Sequence, residues 1–309
     1  MTLHLKTPLI LHTGLSTPEQ RIWLKLENLQ PGGSFKIRGI GAMCEQAKAQ
    51  GKQRLVAPSG GNAGIAAAVA ARALGLHAEV IVPTTTPEFT RARIRALGAE
   101  VIVHGDTWNV ANQLALRHAE PDDTLYVPAF DHPAIWDGHS TMIDEIVEQL
   151  PQVDAVVASV GGGGLLSGVL VGLARHERHD VQVLAAETLG AASFAAALQA
   201  GRPVRLDGIT SIAKSLGALE VAAWPVAAIR RFPHQSVVLS DEQALDAVVR
   251  YADDYRQLVE PACGVSLALA YQRHPSLAQA RDVVIIVCGG VGVTPALVAQ
   301  WAEAAAAVV

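Results

Sequence analysis

The sequence predicts an α/β protein of two lobes, each an open, mostly parallel twisted sheet flanked by helices. Three observations predict it. Runs such as HAEVIV, DAVVASV and VVIIVC are continuously apolar and β-branched, the mark of strands covered on both faces. These runs alternate with longer helical stretches, and repeated β–α units give a parallel sheet with right-handed crossovers. The 309 residues, half of them hydrophobic and 17% charged, match one large or two modest domains and carry ample material for a core.

The elements follow in order. RIWLKLE reads as a strand, and a helix is expected from Phe35 to Gln50. RLVAP is strand-like. NAGIAAAVAARALG is a helix that Gly75 ends as a cap. HAEVIVP is a strand, and a helix is expected from Pro87 to Leu97, with proline near its start and Gly98 after its end. EVIV is a strand, Thr107 to His118 reads as a helix, TLYVPA is a strand, and a helix is expected after Gly138. DAVVASV leads into GGGGLLSGVLVGLARH as a strand–turn–helix unit, and QVLAAE and VVIIVC are further buried strands. The Ala-rich tail AEAAAAVV ends a final helix and is read as packing. Nothing marks a linker: there is no Pro/Ser-rich stretch, charge block or repeat.

Composition narrows the function classes. The net charge is −5, which argues against nucleic acid or an anionic membrane as the main partner. No apolar run approaches the ~20 residues of a membrane span. The start, MTLHLKTPLILHTGLS, lacks the parts of a signal peptide. Cys44, Cys263 and Cys288 are too few and too scattered for a disulfide framework or a zinc site, so the reducing cytoplasm is expected. The eleven histidines show no HExxH pattern, and His132 and His139 are assigned no role.

Gly161, Gly162, Gly163 and Gly164 follow a buried strand and open a helix. Each costs roughly 0.5–1 kcal/mol to order relative to alanine, so something should offset the run. Consecutive N–H groups without Cβ atoms can turn inward at a helix N-terminus and cradle a phosphate. The pattern is not GxxxxGK[ST], nor GxGxxG with a following acid, so a phosphate cofactor that is neither a nucleoside triphosphate nor a dinucleotide fits best. A plain loose turn is the alternative.

Two other loops carry chemistry. Gly32-Gly33-Ser34-Phe35-Lys36-Ile37-Arg38-Gly39 puts a lysine beside an aromatic ring at a helix start. A lysine in an apolar pocket loses charge and gains nucleophilicity, and Phe35 can lie flat against a planar ring. Ser59-Gly60-Gly61-Asn62-Ala63-Gly64 opens the next helix, where free N–H groups would bind a carboxylate. Ser59 or Asn62 as a plain helix cap is an equal reading.

Taken together, GSFKIRG, SGGNAG, FDHPAIWDGH, GGGGLLSG, ETLGAASF, ITSIAKSLG, VEPACG and VCGG resemble, in order, the fold-type II pyridoxal-phosphate enzymes, specifically the serine/threonine dehydratases. The resemblance covers nearly the whole chain and implies a tryptophan synthase β-like fold. It implies a large pyridoxal-phosphate-binding domain at 1–38 plus 138–309 and a small substrate-side domain at 39–137. By resemblance, Lys36 is the Schiff-base lysine and then the acid/base at Cα, and Phe35 covers the pyridine ring. Asn62 bonds the ring hydroxyl oxygen, Ser59, Gly60, Gly61, Asn62 and Ala63 grip the substrate carboxylate, and Gly161 to Gly164 hold the phosphate. Cys288 faces the pyridine nitrogen as a neutral partner; without the family it reads equally as a buried strand-end thiol. Glu187, Ala191 and Ser193 are similar to a monovalent-cation site, which adds potassium to the cofactors implied. The cofactor phosphate is the family's candidate to protonate the departing hydroxyl.

The implied reaction is dehydration and deamination of L-serine or L-threonine to a 2-oxo acid and ammonia, by a cytoplasmic homodimer acting on a small amino acid. Some residues depart from the pattern. Gly60 stands where serine racemases have a serine, which disfavours racemisation and is expected to leave room beside the substrate. Ser215 stands where dehydratases have alanine against the ring, and is expected to alter cofactor electronics or bond the backbone. The lysine segment differs from that of the cysteine synthases, which makes β-replacement a rival. A sensor of pyridoxal phosphate or an amino acid is another, although an intact Lys36 argues against a dead enzyme. Biosynthetic threonine dehydratases carry a regulatory domain after the stretch that here runs about twenty residues past Cys288, so a catabolic role without isoleucine feedback is expected.

Overall fold

A computed structural model describes residues 2–306. In chain order the strands are β1 (Leu9–Leu11), β2 (Arg21–Lys25), β3 (Arg54–Ala57), β4 (His77–Val82), β5 (Glu100–Val103), β6 (Thr124–Tyr126), β7 (Ala155–Ser159), β8 (Gln182–Thr188), β9 (His234–Leu239) and β10 (Asp282–Ile286). The helices are α1 (Lys36–Ala49), α2 (Asn62–Leu74), α3 (Glu88–Ala96), α4 (Trp108–His118), α5 (Pro133–Gln149), α6 (Gly164–Arg175), α7 (Ser193–Ala200), α8 (Ala223–Ala228), α9 (Asp241–Tyr255), α10 (Pro261–Tyr271) and α11 (Pro295–Ala306). The last residues of the AEAAAAVV tail lie outside the described residues. None of the described helices is long and apolar enough to cross a membrane.

The chain divides into two compact units. One holds the segment up to Leu5 and Gln30–His139; the other holds Lys6–Leu29 and the chain from Ser140 onward. The sequence expectation put the boundaries after 38 and before 138. The structure puts Lys36 in the first unit because it opens α1, which packs along α2, and because Gln30 bonds the main chain of Leu5 in both directions.

The first unit is built on a parallel four-stranded sheet in the order β5-β4-β3-β6. Val56, Ile81, Ala111 and Ala115 form a fully buried core, with Ile102, Leu114 and Tyr126 packed against it. Local signals end its helices where the sequence expected. Gly75 takes φ 64° after α2, and the Thr107 hydroxyl accepts from the Val110 N–H at the start of α4. Helix α5 starts at Pro133, five residues before the expected Gly138. Gly138 lies inside that helix because α1 passes against it. A Cβ there would stand 2.5 Å from the Arg38 carbonyl oxygen and 2.7 Å from the Gly39 Cα. The glycine marks a close approach, and the helix continues through it.

The second unit carries a six-stranded sheet in the order β1-β2-β10-β7-β8-β9, parallel except for β1. Strands β7 and β10 are buried at every residue, and α10 packs on β7, β8 and β10. One charge is buried with full compensation. Lys25 donates to the Thr7 carbonyl (2.8 Å), to Glu145 (2.6 Å) and to Gln149 (3.1 Å). Ion-pair partners of this kind must be kept together, since either one alone is an uncompensated buried charge.

Candidate active site

In the first unit, Lys36 is the first residue of α1. Its Nζ donates to the Ala129 carbonyl at 2.5 Å and lies 5.3 Å from the centre of the Phe35 ring. Phe35 leans on His139, with ring centres 4.8 Å apart and planes at 59°. His139 is fully buried and accepts the Gly39 N–H at Nδ1 (3.0 Å), while its Nε2 has no partner among the described residues. The histidine with no role assigned from sequence therefore supports the Phe35–Lys36 turn from beneath. Its spacing from Gly39 in sequence gave no signal of this.

Burial, with the nearby charges of Lys36 and Arg38, holds the His139 imidazolium well below its usual range. The folded protein thus resists a proton that the unfolded chain accepts at about pH 6.5. Stability is complete above that value and falls as pH drops below it, by up to about 1.4 kcal/mol per pH unit. His139→Asn keeps an acceptor near the place of Nδ1 and removes the titration. Urea unfolding at about pH 5 and about pH 7 should show a smaller acid loss for this variant than for wild type. Equal losses would assign the acid sensitivity to other groups.

The second loop opens α2. Neither Ser59 nor Asn62 caps the helix, as the alternative reading expected. Gly61 is the capping residue, no side chain bonds the first turn there, and Asn62 is the first helical residue. Among the described residues Ser59 Oγ accepts only the Gly61 N–H, at 3.4 Å. Among the described residues no side chain takes the Ala63 and Gly64 N–H groups at the start of α2, which suits an anion. Gly60 does not leave the expected room. A Cβ at this position would meet the Thr86 side chain, with Cγ2 at 2.4 Å. The wall behind the loop is further tied by Trp108, whose Nε1 donates to the Pro58 carbonyl at 2.6 Å.

In the second unit, β7 runs through Val160 into Gly161–Gly164, and α6 begins at Gly164. Gly163 caps the helix at φ 91°, a left-handed conformation, with no side-chain bond to the first turn. A Cβ on Gly161 would stand 2.8 Å from the Leu216 Cα and 3.1 Å from the Ser215 carbonyl oxygen. A side chain there would fill the cradle and strike main chain. These features fit a phosphate.

Cys288 lies just past the end of β10, buried, with its Sγ 3.4 Å from Ser159 Oγ on β7. The Cys263 thiol is its other neighbour. Burial and the nearby Cys288 thiol push Cys263 well above its ordinary value, so it stays protonated. All three cysteines are free and buried. A thiol at a strand end, beside the Ser159 hydroxyl and the Cys263 thiol, fits an aromatic ring nitrogen.

Ser215 places its hydroxyl on a carboxylate and not on the backbone, one of the two expected roles. Its hydroxyl donates to the carboxylate of Glu260, which is buried and also accepts the Gly292 N–H at 2.6 Å. Glu260 is a residue that sequence reading passed over inside VEPACG. Of the residues expected at a cation site, Glu187 reaches the start of α7, which Ser193 opens. Glu187, fully buried at the end of β8, accepts the N–H groups of Phe194 and Ala195, both at 2.8 Å. Burial pushes its carboxyl up to about 7 against those two bonds. Ser193 Oγ is buried without a partner among the described residues, and Ala191 is fully buried. An oxygen-rich set with one orphan hydroxyl fits a hard monovalent cation as well as a simple cap for α7. Elsewhere His77, Glu79 and Glu100 have ligand atoms within 4.8 Å of one another, but Glu79 is already bonded by Arg54 and His118.

Comparison with known proteins adds the family. Residues 1–289 match the model for pyridoxal-phosphate dependent enzymes. A mouse protein called serine dehydratase-like is 46% identical over 93% of this chain and 90% of its own length. A cattle L-serine dehydratase/L-threonine deaminase is 43% identical over 93% and 91%. The crystal structure of a fungal L-serine ammonia-lyase from Rhizomucor miehei superposes with a TM-score of 0.92 at 36% identity, covering 98% of this chain and 99% of that one. Maize serine racemase superposes at 0.86 and 26% identity, over 97% and 92%.

Proposed function

The chain belongs to the pyridoxal-phosphate dependent enzymes, and from that membership we propose that it is an ammonia-lyase converting L-serine or L-threonine to the 2-oxo acid and ammonia. One observation carries the reading. The chain matches proteins named for L-serine dehydration over at least nine-tenths of both lengths, and its Lys36 stands intact at a helix start.

Pyridoxal phosphate, when bound, supplies the electron sink that makes an amino acid's Cα proton removable. Lys36 is the residue that would carry it covalently, and the same amine would take the Cα proton of the substrate. The Ala129 carbonyl fixes the direction of that amine. Phe35, braced by His139, would cover one face of the ring, and Asn62 would bond the ring hydroxyl oxygen. Ser59, Gly60, Gly61, Asn62 and Ala63 take the substrate carboxylate at the uncapped start of α2. Gly161, Gly162, Gly163 and Gly164 take the phosphate at the start of α6. Cys288 would partner the ring nitrogen with a thiol in place of a carboxylate. Glu260 fixes the hydroxyl of Ser215 away from the main chain. Glu187, Ala191 and Ser193 would hold potassium.

The larger unit is then the cofactor domain. A homodimer in the cytoplasm completes the proposal, supported by three free, buried thiols suited to a reducing compartment. The test is a panel of 3-hydroxy amino acids given to the cofactor-loaded protein. Pyruvate from L-serine, or 2-oxobutanoate from L-threonine, with equimolar ammonia, is expected. Cofactor colour without product would support a sensor, and D-serine as the main product would support a racemase.

A further inference from the structure

We propose that Thr86 is a specificity-determining residue of the substrate loop: it fills the space that a side chain at position 60 would need, and it supplies the substrate with the side-chain hydroxyl that Gly60 lacks. The proposal rests on reading Ser59–Ala63 as the loop that takes the substrate carboxylate. Gly60 is not required by its own backbone, since its φ is outside the left-handed region that favours glycine. Its neighbour reserves the position. A Cβ on residue 60 would lie 2.4 Å from Thr86 Cγ2, 2.8 Å from Oγ1 and 3.2 Å from Cβ. Rotation about χ1 moves the two branch atoms but leaves the Thr86 Cβ where it is.

The main chain of Thr86 is pinned as well. Its N–H donates to the Pro83 carbonyl at 3.0 Å, and its carbonyl accepts from Arg91 Nε at 2.7 Å. The same guanidinium donates to the Thr84 carbonyl at 2.7 Å, so Arg91 holds the turn against the loop. Thr86 is only 9% exposed. Its hydroxyl nevertheless has no hydrogen-bond partner among the described residues. A hydroxyl that bonds no described residue and is not sealed from solvent, beside an anion-binding loop, has a ready acceptor in a carboxylate.

Two sets of variants test this. Thr86→Val keeps the shape and removes the hydroxyl. It should raise KM for L-serine by about tenfold with little change in kcat, and leave the melting temperature of the cofactor-free protein unchanged. Gly60→Ala should lower that melting temperature by about 3–6 °C, and adding Thr86→Ala should restore most of the loss. An unchanged KM in Thr86→Val overturns the hydroxyl's role. A Gly60→Ala protein that melts with wild type, or a loss that Thr86→Ala does not relieve, overturns the packing. Wild-type protein that stays colourless with pyridoxal phosphate would sink the cofactor reading instead. The melting cycle, run without cofactor, decides the packing in either case.

Discussion

Lys36→Ala should fold like wild type and lose at least about 10³-fold in 2-oxo acid formation. The fold should survive because Lys36 is half-buried at the first position of α1, where alanine is a good helix former. Its amine makes a hydrogen bond to Ala129 and lies over Phe35, but the turn itself is held by other groups. Phe35 rests on His139, and His139 receives the Gly39 N–H. Activity should collapse because one amine has two tasks, carrying the cofactor and moving the Cα proton. Product assays and circular dichroism on the same preparation separate the two. Activity within tenfold of wild type in a folded variant would remove Lys36 from the chemistry.

Gly161→Ala should weaken pyridoxal phosphate binding by at least about tenfold, an effect larger than its cost to the fold. The new methyl would sit 2.8 Å from the Leu216 Cα and 3.1 Å from the Ser215 carbonyl oxygen. Those are main-chain atoms and cannot swing aside as a side-chain end can. The loop must move, at about 1–3 kcal/mol, and its N–H groups lose their common direction. The expected signature is a higher half-saturating cofactor concentration in an absorbance titration, with cofactor-free melting lowered by only a few degrees. Equal cofactor affinity in the variant would take the phosphate away from this loop.

Much of the fold was legible because its signals are local. Gly75, Gly98 and Thr107 mark helix ends through backbone conformation or a single hydroxyl, and those helices end where the residues say. Buried parallel strands announce themselves as unbroken β-branched runs. The region from 189 to 281, with β9 and the helices α7 to α10, is less legible in the sequence. Two of these had signals to find. Ser240 and Gln243 form a reciprocal capping box at the start of α9, and Pro261 opens α10. Strand β1 has three residues and no local mark.

The misplaced start of α5 and the space imagined at Gly60 share a cause. Each glycine answers to a segment distant in sequence, Gly138 to α1 and Gly60 to Thr86. Sequence spacing does not report such approaches. The same holds for His139 and Glu260, whose supporting contacts reach Gly39 and Gly292. The residues proposed to touch the cofactor were legible as motifs, while the residues that hold them in place were not.

The central claim is that one lysine carries the cofactor. Wild-type protein saturated with pyridoxal phosphate, reduced with borohydride, digested and mapped by mass spectrometry should carry the pyridoxyl group on Lys36 and on no other lysine in stoichiometric yield. Folded protein that takes up no label, or takes it on another lysine with Lys36 unmodified, would contradict the account.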